Sequence, residues 1–302
     1  MALKTSPLIL VIGGTGTQGG NVARELLKNG HRVRILTRNP ESIAAKQMVE
    51  AGAEVVKGDM SDLQSLEPAM QDVTAIFSAQ YADPNDPSIE LRNASNMVQM
   101  AQKTGIQQIV HTSVVGSNVF PRWDKYKALV ETFDHKYEVE EYIRNGGFKY
   151  WTILHPCWFM ENFMQPNASV MAPELHKGVL FGRWEPETLI KLTCGEDTAR
   201  FARAVFEDPE KFNKKDIDVS GDELTIVQIA DVLSKAKKKQ VTYEKVSYKE
   251  AVRRGMFEGT VAAHEWMNAV PGFDINETKQ YGIRLKTFSE WVDENKDRIV
   301  ID

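Results

Sequence analysis

Apolar positions in the first half of the chain follow two alternating rhythms. Short runs rich in β-branched residues fall at residues 8–12, 32–37, 54–57, 73–78, 107–112 and 149–154. Longer stretches with apolar residues at helical spacing lie between them, at 21–28, 41–51 and 87–103. Strand alternating with helix at this pace predicts βαβ units, hence a parallel sheet with helices on both faces. The first run, Leu8-Ile9-Leu10-Val11-Ile12, is apolar at every position, as a strand covered on both sides must be. Gly30 and Gly105 stand just past two helical stretches, where a left-handed residue closes a helix.

The second half is less regular. Residues 155–190 place Pro156, Pro166, Pro173 and Pro186 among large apolar side chains. Helices are predicted at 198–207, 225–235 and 287–298, with a strand at 216–219. The expected organisation is a doubly wound α/β domain over 1–155 and a smaller, partly interleaved α/β lobe over 156–302. Some elements of that lobe are expected to return to the first domain. No linker-like composition divides the two, so the boundary near 155 is soft.

Length and composition then narrow the class. At 302 residues and 42% hydrophobic, the chain buries a core without needing disulfides or metal. Its two cysteines, Cys157 and Cys194, make neither a disulfide framework nor a zinc site, which fits a reducing, intracellular setting. A net charge of −5 offers no footprint for nucleic acid. The one basic run, Lys235-Ala236-Lys237-Lys238-Lys239, reads as a solvated helix end. No stretch approaches the ~18 apolar residues of a membrane span, and the N-terminal apolar run lacks a signal-peptide cleavage site. A cytoplasmic protein is expected. His31, His111, His135, His155, His176 and His264 show no metal-ligand spacing, and no metal is expected.

A cofactor signal follows the first strand. Gly13-Gly14-Thr15-Gly16-Thr17-Gln18-Gly19-Gly20 opens into the helix that begins Asn21-Val22-Ala23. A dinucleotide's pyrophosphate needs close backbone approach, free N–H donors and a helix N-terminus, and glycine supplies the first two. Between strand and helix, this turn predicts a Rossmann-type dinucleotide site. The second strand selects the nucleotide. NAD sites end it with Asp or Glu, whereas this chain reads Leu36-Thr37-Arg38-Asn39-Pro40. Arg38 suits a 2′-phosphate through paired charge-assisted bonds, with Thr37 and Asn39 as further donors, so NADP(H) is expected over NAD. Ligands bind at the carboxyl ends of parallel strands, which adds Asp59 near the adenine and Ser78, Ala79 and Gln80 near the nicotinamide ribose.

These residues resemble the NmrA-like family, atypical members of the short-chain dehydrogenase/reductase superfamily. The likeness rests on the turn from Gly13 to Gly19, Thr37-Arg38-Asn39-Pro40, and the stretch from Gly52 to Gly58-Asp59. It continues through Lys136-Tyr137-Glu138-Val139-Glu140-Glu141-Tyr142, Pro156 with Phe159-Met160-Glu161-Asn162, and Thr287-Phe288-Ser289-Glu290-Trp291. The resemblance implies a Rossmann fold and NADP(H) binding, with Pro156 at the cofactor, and leaves activity open. Some relatives are redox-sensing regulators; others reduce quinones, flavonoids or phenylpropanoids with NADPH.

The superfamily's usual catalytic pair is a tyrosine with a lysine four residues on. None of the eight tyrosines has one. Ser113, closing the fifth strand, resembles the superfamily's substrate-orienting serine, and Lys136 resembles its lysine. Thr132 stands where the tyrosine would be, and a threonine hydroxyl is a poor proton donor near neutral pH. Lys136 lies within an apolar stripe of Leu129, Phe133, Val139 and Ile143, and lysine is rarely buried without a partner. It is assigned either to hold the nicotinamide ribose or to serve as acid or base, against the alternative of a stem covering apolar surface. Trp158, Phe159 and Asn162 are candidate substrate-pocket residues, or equally part of a core between lobes. Cys157 has only His155 nearby in sequence to activate it.

The favoured expectation is an NADPH-dependent reductase of a small, largely apolar quinone, carbonyl or aromatic substrate. The alternatives are a non-catalytic NADP(H)-sensing regulator that binds a protein partner, and a non-redox enzyme on the same scaffold.

Overall fold

Strand and helix alternate through the first half in the computed structural model, which describes residues 7–80, 83, 86, 88–117, 127–270 and 272–302, with backbone only at 127–134. The order is β1 (Leu8–Ile12), α1 (Thr17–Lys28), β2 (Arg32–Thr37), α2 (Ile43–Glu50), β3 (Glu54–Lys57) and α3 (Leu63–Met70). It continues with β4 (Ala75–Ala79), α4 (Ile89–Thr104), β5 (Gln108–Thr112), α5 (Lys127–Arg144) and β6 (Tyr150–Pro156). Then come β7 (Trp158–Phe159), α6 (Ala168–Met171), β8 (Val179–Gly182), β9 (Leu189–Thr193), α7 (Gly195–Glu207), α8 (Pro209–Phe212), β10 (Lys215–Val219) and β11 (Asp222–Thr225). The chain closes with α9 (Ile226–Lys237), β12 (Thr242–Lys245), α10 (Tyr248–Arg253), α11 (Glu258–Ala269), α12 (Ile275–Lys279) and α13 (Phe288–Asn295).

The main sheet has seven strands in the order β10-β6-β5-β4-β1-β2-β3. Pairing is parallel from β6 through β3. The winding reverses between β1 and β4, which leaves a crevice at the carboxyl ends of those strands. All of β1 is buried, and Leu8, Leu10 and Ile12 enter one cluster with Met97 and Ala101 of α4 and Val139 and Ile143 of α5. Each such aliphatic side chain contributes about 1.5–3 kcal/mol on burial, so this face fixes how the helices cover the sheet. The architecture is a Rossmann-type doubly wound α/β fold with a smaller, interleaved C-terminal α/β part.

The chain divides into two compact units. One is Met1–Lys125, Val130–His155 and Thr198–Ile217; the other is Tyr126–Leu129, Pro156–Asp197 and Asp218–Asp302. The second unit holds two small sheets, β11-β9-β7 and β12-β8. Its core joins Ile229 and Leu233 of α9, Phe288 and Trp291 of α13, and Ile190 and Leu192 of β9.

Local chemistry explains the boundaries. Thr225 and Thr287, expected as the first helical residues, are N-caps, each in a reciprocal bond pattern with Gln228 or Glu290. Gly105 caps α4 at φ 75°. The basic run closes α9: Lys238 is left-handed at φ 54°, and Lys237 and Lys239 donate to the carbonyls of Lys296 and Ile301. Two differences from the sequence pattern matter. Helix α1 starts at Thr17, so the second half of the glycine motif is already helical. The short strands β8, β9, β11 and β12 have no strong local pattern, since each is defined by its pairing partner.

Candidate functional site

Apart from Lys136 on α5 and Pro156, which falls in the second unit, the residues expected to hold a cofactor lie along the carboxyl edge of the main sheet, in the first unit. Gly13 leaves β1 at φ 75°, a conformation that side chains resist, and a Cβ there would lie 3.0 Å from the Ala79 carbonyl oxygen. Gly19 packs against the same turn so closely that a Cβ would stand 2.3 Å from Gly13 O. Gly16 N donates to Gly13 O at 2.9 Å and Gly16 then serves as N-cap of α1, with no side-chain cap and no acid in the first turn. The opening N–H groups of Thr17, Gln18 and Gly19 have no intrahelical acceptor, so the helix presents them toward an anion. Gln18 is fixed by Thr112, whose hydroxyl donates to Oε1 at 2.7 Å. Thr15 is half-buried beside them. The backbone cradle fits a pyrophosphate.

Past β2, Arg38 is exposed and makes no hydrogen bond or ion pair among the described residues. Its charge reaches Asp59, whose carboxyl is held below the ordinary aspartate range first by the Ser61 N–H and hydroxyl and then by Arg38. Thr37 Oγ1 accepts from Asn39 N, and Asn39 Oδ1 accepts from Glu41 N, so both oxygens serve the turn itself. The Thr37 hydroxyl hydrogen and the Asn39 amide nitrogen keep donors to offer a phosphate beside the Arg38 guanidinium.

At the ends of β4 and β5 the polar side chains form a buried chain. Gln80 Nε2 donates to Ser78 Oγ at 3.0 Å, and Ser78 Oγ lies 3.2 Å from His111 Nδ1. Complete burial pushes the His111 imidazole down to about 3, so it is neutral. Ala79 is half-buried alongside.

Ser113 faces inward. Its hydroxyl donates to Glu140 Oε1 at 2.5 Å, and His155 Nε2 lies 3.1 Å from the same oxygen. Arg144 Nη2 donates to Glu140 Oε2 and to Asp216, both at 2.9 Å, and Nη1 donates to Glu141 at 2.6 Å. Burial raises the Glu140 carboxyl, but bonds and charge from His155 and the Ser113 bond outweigh it and bring it down to about 2. Serine, histidine and carboxylate meet here, yet the carboxylate stands between the other two. Histidine cannot take the serine proton, so this is no hydrolytic triad.

One helical turn before Glu140, Lys136 extends its ammonium to Glu90 on α4, at 2.9 Å. Glu90 is 2% exposed, and the lysine side chain 20%. Val139 and Ile143 of the expected stripe are buried, whereas the side chains of Leu129, Thr132 and Phe133 lie outside the described residues. Glu90, Glu140 and Arg144 went unnoticed in the sequence reading. The available signal was Glu140, an acid one turn from Lys136 on a face otherwise apolar.

In the second unit, Pro156 is buried, and Trp158, Phe159 and Asn162 are half-buried. Trp158 and Phe159 form β7, parallel to β9. Cys157 is buried, and burial with the nearby Asp218 charge pushes its thiol far up, which makes it a poor nucleophile. Glu161 Oε1 accepts from Gly195 N at 2.8 Å at the start of α7, and burial raises its carboxyl. Among the described residues no group of His, Cys, Asp or Glu is arranged to hold a metal, and no helix is long and apolar enough to cross a membrane.

With a dinucleotide cradle at the switch point of a doubly wound sheet, the class is that of a Rossmann-type nucleotide-binding fold. The chain belongs to the NmrA-like family, whose profile matches residues 5–292. It is 30% identical over 255 residues to an NmrA-like family domain-containing protein of Dictyostelium discoideum, covering 79% of this chain and 80% of that one. Among solved structures it is similar to an NADPH-dependent quinone oxidoreductase from Escherichia coli complexed with NADPH. That pair has 23% identity and a TM-score of 0.75, covering 95% of this chain and 99% of that one. It is also similar to NmrA, a negative transcriptional regulator, in complex with NADP, at 18% identity and TM-score 0.77, covering 96% of this chain and 95% of that one.

Proposed function

We propose that this protein is an NADPH-dependent reductase of a small, largely apolar quinone, carbonyl or aromatic compound. The observation that carries the reading is Arg38: a guanidinium beyond β2 with no partner among the described residues, on the same sheet edge as an N-terminus prepared for pyrophosphate. The amides of residues 17–19 would bind the pyrophosphate and Arg38 the 2′-phosphate, which favours NADP(H). Bound NADPH would supply the hydride. Lys136, held by Glu90, would bind the nicotinamide ribose and offer a proton to the reduced oxygen. Quinone reduction leaves a weakly basic phenolate, so a chain lacking the superfamily's tyrosine can still support it. The likeness to the bacterial quinone oxidoreductase supports this reading.

A second reading has its own support. Lys136 is already ion-paired and the Ser113 hydroxyl already donates to Glu140, as would suit a protein that binds the nucleotide without turning it over. NmrA, a regulator with the same fold, is in keeping with it. Such a regulator must bind NADP+ and NADPH unequally, because a ligand shifts only equilibria it binds differently.

The test is NADPH oxidation against a panel of quinones, aldehydes and enones, with Lys136→Ala in parallel. Turnover should fall at least ~100-fold in the variant, well beyond the loss of NADPH affinity that follows from its missing ribose contact. Tight NADPH binding without turnover on any acceptor would give the regulator reading the lead.

A further inference from the structure

Gln80 follows Ala79, the residue against which the Gly13 turn packs, so it stands beside the pyrophosphate cradle at the switch point of the sheet. Behind it lie side chains from three elements that are sealed from solvent. Ser78 of β4 and Met97 of α4 are 0% exposed, and His111 of β5 is 1% exposed. The half-buried Gln80 amide meets two of them through one atom: Nε2 donates to Ser78 Oγ at 3.0 Å and to Met97 Sδ at 3.8 Å.

Every bond in this chain has a defined direction. The two hydrogens on Nε2 have two inward acceptors, a hydroxyl oxygen and a thioether sulfur, whereas an amide oxygen turned that way would find no donor on the sulfur. Ser78 Oγ accepts from Gln80 and passes its own proton to His111 Nδ1, 3.2 Å away. Burial holds the imidazole neutral, so Nδ1 keeps the lone pair that this bond needs and the ring proton is on Nε2. Donors thus run inward from amide to hydroxyl to imidazole. Gln80 Oε1 is left with no donor among the described residues, facing the crevice as an acceptor.

Pyrophosphate at the glycine turn and the 2′-phosphate at Arg38, on the β2 side, leave the nicotinamide half of the nucleotide to extend over β4. Its ribose hydroxyls bring hydrogens to donate. We propose that Ser78 and His111 are positioning residues that lock the Gln80 amide with its oxygen outward, and that Gln80 Oε1 accepts from a hydroxyl of the nicotinamide ribose. A side chain held this way gives up little rotamer freedom on binding, which is where the gain in affinity arises. The assignment rests on the placement of NADP(H) above and is independent of whether the nucleotide is turned over.

The full chain would be titrated calorimetrically with NADPH and with adenosine 2′,5′-bisphosphate, which carries the 2′-phosphate but no nicotinamide ribose. Gln80→Leu and Ser78→Ala should each weaken NADPH binding about threefold to tenfold and leave the bisphosphate unchanged. The double variant should lose little more than the worse single one, because both changes remove the same contact. His111 separates positioning from packing. His111→Asn keeps an oxygen able to take the Ser78 proton and should retain NADPH affinity, whereas His111→Leu should match Ser78→Ala. Unaltered NADPH affinity in Gln80→Leu, additive losses in the double variant, or equal losses for both ligands would overturn the assignment. Gln80→Leu, at a half-buried position, gives a result even where a buried variant fails to fold. A bisphosphate that does not bind the unaltered protein would show that the cofactor placement itself is wrong, and the assignment would fall with it.

Discussion

Arg38 and Arg34 illustrate how little a residue's type says until its partners are known. They lie four residues apart at the end of β2, yet Arg34 is spent on Glu54 and on the carbonyls of Ala69 and Gln71, while Arg38 is bound to nothing described. Only the second has a guanidinium free for a phosphate. Arg38→Glu should therefore lower NADPH affinity at least ~30-fold and NADH affinity far less, because it places like charge against the 2′-phosphate alone. A fluorescence titration with both nucleotides checks this, and equal losses would mean that Arg38 does not read the phosphate. Lys136 is the contrasting case. The sequence marks it as an unusual lysine on an apolar face, but its partner Glu90 is 46 positions away and comes from another helix.

Helix α1 and the turn before it depend on two glycines of different kinds. At Gly19 a Cβ would collide with backbone, 2.3 Å from Gly13 O; at Gly30 there is open space, but φ is 81°. Gly19→Ala should thus push α1 off the turn and reduce NADPH affinity at least tenfold, with a stability loss of about 1–3 kcal/mol. Gly30→Ala should cost about 1 kcal/mol through backbone strain and leave affinity intact. Urea unfolding with NADPH titration on both variants distinguishes a binding cradle from a mere turn. At this scale the sequence is most readable where one element carries its own signals. The boundaries of β1, β2 and β3 agree with the pattern, and Thr225 and Thr287 mark the starts of α9 and α13. Helix α3, with Pro68 inside its eight residues, escapes the pattern because its stability comes from burying Leu66, Ala69 and Met70.

The buried polar groups make the whole molecule sensitive to acid. His111 is neutral in the folded chain, down to about 3 from its ordinary 6.5, because burial disfavours its charged form. Glu140 is ionised down to about 2 from 4.5. In both windows the unfolded chain binds more protons than the folded one, so stability falls as pH falls. The His111 contribution is lost from 6.5 toward 3, that of Glu140 from 4.5 toward 2. Urea midpoints at successive pH values should decline below neutrality, and His111→Asn, which cannot titrate, should flatten the part between 6.5 and 4.5. An unchanged slope in that variant would assign the acid sensitivity elsewhere.

The sequence by itself determined the doubly wound sheet, the glycine cradle and the arginine beyond β2. These features are written in contiguous residues, because hydrophobic period, capping chemistry and a tight turn act over a few positions. Tertiary structure alone decided what the polar side chains do. The Ser113 hydroxyl donates to buried Glu140; Lys136 reaches Glu90; three ring nitrogens, Trp158 Nε1, Trp184 Nε1 and His264 Nε2, come together from β7, the segment after β8 and α11 with no hydrogen-bond partner among the described residues. A buried charge or donor is defined by what shares its low-dielectric surroundings, and those neighbours are brought together only when distant segments pack.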